Sequence, residues 1–222
     1  MCYSVESSAK TTLYSLTAII VLLTSGVPHF QWLGVILVGW CGMQFDELLL
    51  WLTNPRKGCS PANKLITTTL IPLVLILQPL AAIMGSFFVK PWSECSQNRK
   101  LFIVLYSAMI IVSMLYLFFK NNKTGCTVVS PSGHLNWWSE THGFSSTLYF
   151  LWGIAIVAPL FLLWNMSYKL IFILSAVPLF GYHYGLTTDS NASIWCYYTS
   201  FTSIVSLVVY GLYKYNIYNI LK

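Results

Sequence analysis

Within an otherwise apolar run, Gln44-Phe45-Asp46-Glu47-Leu48-Leu49-Leu50-Trp51 places two carboxylic acids side by side. In a helix, Gln44, Glu47 and Trp51 are three and four residues apart and share a face, with Asp46 about 100° round the axis from Glu47. An ionisable group in lipid costs about 2.5 to 3.5 kcal/mol at the bilayer centre, less toward the headgroups, and normally faces the bundle interior with a partner. Glu47, roughly 9 Å inside its helix end at 1.5 Å per residue, is therefore the candidate catalytic or coordinating acid: facing inward, it could bind a cation or activate water as a base. Asp46 is expected to snorkel to the headgroups.

A second group of reactive side chains falls at the same end of the chain's elements. His134, His142 and His183 join Glu47, Glu140, Asp189, Cys2 and Cys196 there. Imidazole, carboxylate and thiolate are the ligands of zinc and related metals, so a divalent metal such as zinc is an open expectation, with His134, His142 and His183 as its candidate ligands. The spacing supplies neither His-Glu-x-x-His nor Cys-x-x-Cys, and structural or interfacial histidines are the competing reading. Trp137, Trp138 and Trp164 read as interfacial anchors rather than a cofactor box.

The elements that must position these groups follow from composition. The 222 residues are 56% hydrophobic and 8% charged, against about a quarter charged in soluble domains. The apolar residues come in long runs, and roughly 20 of them cross a hydrocarbon core of about 30 Å. Seven windows qualify, near residues 5–27, 30–53, 65–89, 101–119, 143–164, 170–188 and 193–213. The expected fold is an all-α, polytopic membrane protein, a seven-helix bundle in one domain, with the lipid bilayer as its first partner. Ser4 is expected to cap the first helix, with Glu6 in its first turn. Pro72 and Pro79 are expected to kink the third. Met1 to Lys10 lacks the order of a signal peptide.

Seven crossings put the N-terminus and the connections after the second, fourth and sixth helices on one side, side A. Lys10, Arg56, Lys57, Lys64, Lys120 and Lys123 fall there, against Lys90, Arg99, Lys100, Lys169, Lys214 and Lys222 on side B. At six against six, the positive-inside rule favours neither orientation. The net charge of +6 is too dispersed to follow a phosphate backbone, which argues against nucleic acid. Cys59 and Cys126 could pair if side A is oxidising, whereas Cys95 lies on side B and cannot join them. Cys41 reads as a small core hydrophobe. The side A halves of the helices carry the polar residues and the side B halves are mostly aliphatic, a one-sided polarity that fits a pocket better than a through-pore.

The opening Met1-Cys2-Tyr3-Ser4, the Gln44-x-x-Glu47-x-x-x-Trp51 motif and the segment Ser193-Ile194-Trp195-Cys196 resemble a family of small, uncharacterised multi-pass membrane proteins of bacteria, algae and large DNA viruses that begin Met-Cys-Phe-Ser or Met-Cys-Tyr-Ser. The resemblance covers about a third of the chain and brings no activity with it. It implies that Cys2, Ser4, Gln44, Glu47, Trp51, His134, Ser193, Trp195 and Cys196 act as a group, and the topology independently puts all of them on side A. Three functions are open on this reading. One is a one-sided Glu/His/Cys pocket for a small ligand or metal, with a membrane-embedded hydrolase as a version of it. The others are a carrier or channel for an ion or small solute with Glu47 as its acid, and a membrane sensor. Oligomeric state is not fixed by the sequence.

Overall fold

The structure, a computed structural model, describes residues 4–121, 125–137, 152–159 and 191–217. The first helix, α1 (Val5–Leu23), begins where the Ser4 hydroxyl accepts from the Ser7 amide at 3.2 Å. That satisfies one of the donors a helix start leaves orphaned. Lys10 and Glu6, one turn apart, pair at 2.6 Å on its outer surface. A tight turn through Gly26, whose φ of 69° suits glycine, leads to α2 (Pro28–Leu52), opened by proline at its first position.

The third apolar segment is built in pieces, and the prolines explain why. Ser60 caps α3 (Pro61–Leu65) through the Asn63 amide, a π-helical turn follows over Ile66–Leu70, and α4 (Ile71–Gly85) continues into a 3-10 turn over Ser86–Phe88. Pro72 has no N–H to return to the preceding turn, and the widened turn, closed by Ile71 N–H to the Ile66 carbonyl, takes up the mismatch. Pro79 leaves the Leu75 carbonyl without its helical donor; the Trp152 indole N–H donates to it at 3.2 Å. The helical stretch over residues 152–159 is thereby fixed to α4, and its Ala155 carbonyl accepts from Tyr106 at 2.8 Å.

Tyr106 belongs to α5 (Gln97–Asn121), which carries an outward row of Leu101, Val104, Leu105, Met109 and Val112, all exposed. A continuous apolar outer face of this kind suits lipid. After it, β1 (Val128–Val129) and β2 (Leu135–Asn136) form a short antiparallel hairpin inside the longest of the expected connections. The last described element, α6 (Asn191–Lys214), corresponds to the seventh expected segment.

Helix α2 is the hub, packed against α1, α4 and α6. Its side B half builds the apolar core with Phe30, Trp32, Leu33 and Leu37, and Phe30 meets Tyr210 and Tyr213 of α6 with ring centres 5.0 and 5.2 Å away. Glycine sets the α2–α4 approach at two places: a Cβ on Gly39 would lie 3.0 Å from the Gln78 Cα, and one on Gly85 would lie 2.5 Å from Trp32 Cδ1.

The described residues are mostly helical, and among them three helices are long and apolar enough to cross a membrane: Pro28–Leu52, Pro61–Phe88 and Gln97–Tyr116. They mark it as a candidate multi-pass membrane protein. They are the second, third and fourth of the seven expected spans. α1 and α6, richer in Ser and Thr, are not among them. The fifth expected span is described only over 152–159, and the sixth lies outside the described residues.

Candidate functional site

Polar side chains meet where α1, α2 and α6 pack together. On α1, Ser8, Thr11, Thr12 and Ser15 recur at three- and four-residue steps and are all buried; on α6, Ser193, Cys196, Thr199, Ser203 and Ser206 do the same. Between them, Gln44 of α2 spans the gap. Its Oε1 accepts from the Thr11 hydroxyl at 3.0 Å and its Nε2 donates to the Cys196 carbonyl. That carbonyl also accepts from Thr199 at 2.7 Å. One to two turns deeper, Ser203 donates to Ser15 at 3.0 Å. Cys41, buried as expected, has its sulfur 3.9 Å from the Thr12 carbonyl.

These pairs fix the directions of the helices. Going from Thr11 to Ser15 along α1 matches going from Cys196 to Ser203 along α6, so the two run parallel and α2 runs against both. The N-termini of α1 and α6 and the C-terminal end of α2 therefore lie at one end.

At that end Glu47 is fully buried and Asp46 is 3% exposed. Both carboxylates lie within electrostatic reach of Cys196, so Glu47 faces the bundle as expected. Asp46 departs from expectation. It does not snorkel, because its helix is enclosed on several sides and the adjacent position is also interior; its Oδ2 has no hydrogen-bond partner among the described residues. Trp51 closes α2 nearly buried, with the Arg56 guanidinium 6.0 Å over its ring, a cation–π distance.

The hairpin brings His134 to the same end. Its strands are moored by Asn63 at the start of α3, whose Nδ2 donates to the Thr127 carbonyl at 3.0 Å and whose Oδ1 accepts from the Thr127 amide at 2.8 Å. Thr67 adds a 2.7 Å hydroxyl contact to Thr127. The Cys59–Cys126 disulfide, with Cα atoms 5.4 Å apart, ties the same two segments. The tip is a turn in which the Ser130 amide donates to the His134 carbonyl at 2.8 Å and Gly133 takes a φ of 82°. β2 rests on α6. His134 is consequently buried, and burial pushes its imidazole down to about 4, so it is neutral at neutral pH. Trp137, expected at the interface, is instead buried in the core, because the hairpin folds it under.

The structure thus brings Gln44, Glu47, Ser193 and Cys196 into one seam, with Trp51 and His134 at its side A end. Ser4 is exposed, and its side chain is engaged in capping α1, which accounts for that serine without a ligand. Cys2, His142 and His183 lie outside the described residues, as does the Trp195 side chain. Among the described residues, no three His, Cys, Asp or Glu side chains group as a metal-ligand set. Thr199, Thr202, Ser203 and Ser206 were missed by sequence reasoning, although their three- and four-residue recurrence after Cys196 was a signal for a polar face. So was Gln78 of α4, fully buried, with neither amide atom hydrogen-bonded among the described residues. Comparison with known proteins finds no matching family model, no matching curated protein and no matching solved structure.

Proposed function

We propose that the chain is a seven-crossing membrane protein whose α1–α2–α6 seam is the floor of a polar site open to side A, which takes a small ligand or ion. The observation that carries this reading is Glu47, an ionisable side chain buried without exposure in a long apolar helix and met by a polar face from each of two neighbours. A group so costly in lipid is kept where it serves binding or transport. The parallel course of α1 and α6, with a hairpin after α5 moored at that same end, is the arrangement seven crossings require. Of the positions singled out by the family resemblance, Gln44, Glu47, Ser193 and Cys196 lie in this seam, with Trp51 and His134 at its end.

The test is sidedness. Ser193 is buried in the packed seam, so in a Cys2→Ser background Ser193→Cys should react with a charged, membrane-impermeant thiol reagent as the site opens, from side A and not from side B, and faster than Cys196 one turn deeper. Protection from both sides would end the open-pocket reading.

A second reading, a carrier for a small ion, is favoured by the depth of the seam. The Ser15–Ser203 bond and the buried Thr202 and Ser206 carry polarity to the middle of their helices, further than a shallow vestibule needs. Flux through reconstituted vesicles that Glu47→Gln abolishes would decide for it.

A further inference from the structure

One helical turn separates the Gln44 level from Glu47, toward side A. The same step leads from Thr11 to Ser8 on α1 and from Cys196 to Ser193 on α6, since residues three apart lie one above the other. Thr11, Gln44 and the Cys196 carbonyl are joined directly, and α2 runs against its two neighbours, so all three steps move the same way. Ser8, Glu47 and Ser193 therefore form one layer. Each is fully buried, and neither Ser8 Oγ nor Ser193 Oγ has a hydrogen-bond partner among the described residues. A hydroxyl left so costs about 1 to 3 kcal/mol, and the cost falls twice in a single layer that also holds a carboxylate.

We propose that this layer binds one alkali cation, of which sodium is the probe, through the Glu47 carboxylate and the Ser8 and Ser193 hydroxyl oxygens. The inference rests on the pocket reading above and names its occupant. The donors are all hard oxygens, the set that takes alkali and alkaline-earth ions rather than zinc or copper. Charge then separates the two hard classes. Glu47 is the one carboxylate on the Gln44 face, Asp46 being buried beside it but about 100° round α2; the ligand set so defined neutralises one positive charge, and an uncompensated charge in a buried site is strongly unfavourable. The hydroxyls, which have spare lone pairs, complete the shell as neutral ligands.

The experiment measures thermal unfolding of the purified full chain in sodium chloride against choline chloride at equal ionic strength, together with equilibrium binding of radioactive sodium. The expected result is a saturable rise in melting temperature with sodium and one sodium bound per chain. Ser8→Ala and Ser193→Ala should each weaken apparent sodium affinity by roughly tenfold, about the worth of one hydrogen bond or ligand to a charge, and Glu47→Gln should abolish it. If Glu47→Gln does not fold, the two serine variants decide, with an intact Cys59–Cys126 bridge on non-reducing gels as the check on their fold. Equal response to choline and sodium overturns the proposal. So does a sodium effect that the serine variants keep, or binding of calcium or zinc in place of sodium. Side A labelling of Ser193→Cys with no sodium effect removes the cation and leaves the pocket; loss of that labelling removes the pocket itself.

Discussion

The Trp152 indole donates to the Leu75 carbonyl, the group that Pro79 strips of its helical donor four residues on. One side chain thereby repairs the backbone fault of a neighbouring helix, and the two residues should be energetically coupled. Trp152→Phe keeps most of the ring and removes the donor, leaving that carbonyl unsatisfied. In a membrane bundle the loss is worth about 1 kcal/mol. Pro79→Ala supplies an N–H of its own, so Trp152→Phe should cost measurably less in that background. A double-mutant cycle on denaturant unfolding reads the difference; strictly additive losses would mean that the indole contributes packing alone.

The disulfide carries information about orientation that the charges withhold. Cys59 and Cys126, 67 residues apart, sit on side A, and such bonds persist in oxidising compartments. Side A is therefore predicted to face away from the cytosol. In a Cys2→Ser background, a maleimide-linked polymer added to intact cells should shift the protein on gels only after an impermeant reductant has been applied outside. Chain entropy puts the bond at about 4 kcal/mol for a loop of this size, so Cys59→Ser should lower the melting temperature and loosen the hairpin. A shift without reductant, or no loss of stability, would refute this.

Burial holds His134 at about 4, below the ordinary histidine value of about 6.5. A histidine depressed by folding is neutral in the native state and protonated in the unfolded one between those two values. The unfolded state then binds more protons, and stability rises with pH across the window. Acidification from about pH 6.5 toward pH 4 should therefore weaken the docked hairpin, and His134→Gln should flatten that part of the profile without altering it above pH 7. Melting temperature against pH for the two proteins checks the sign.

How much of the fold and the seam is legible in the sequence depends on range. Ser4 as a cap is readable because capping is local, and Glu47 as interior because a charge in an apolar run has few other places to go. Asp46 and Trp137 go the other way. Their burial is decided by elements distant in sequence, the several neighbours of α2 and a hairpin folded back on α6. The π turn before Pro72 is half visible, as a kink without a mechanism. The Ser and Thr row of α6 is visible as a period but carries no charge to draw notice, and only its pairing with Ser15 and Gln44 gives it meaning. The Asn63–Thr127 clamp joins segments 64 residues apart and leaves no pattern in either.

Gln44 offers the sharpest test of what the seam is for, because both of its partners are covered twice. The single Thr11 hydroxyl proton has the Ser7 and Ser8 carbonyls, at 3.2 and 3.0 Å, as alternative acceptors, and the Cys196 carbonyl keeps Thr199. Gln44→Leu therefore orphans neither, and the expected loss is that of ordinary hydrogen bonds, about 1 kcal/mol, rather than the larger cost of a stranded buried group. Gln44→Glu is nearly the same size yet should be far worse, since it adds a third buried carboxylate to Asp46 and Glu47, where like charges in a buried site cannot all ionise without penalty. Thermal unfolding of the two variants separates the cases. A large loss in Gln44→Leu and a small one in Gln44→Glu would mean that the amide is valued for its polarity at the site and not for tying three helices together.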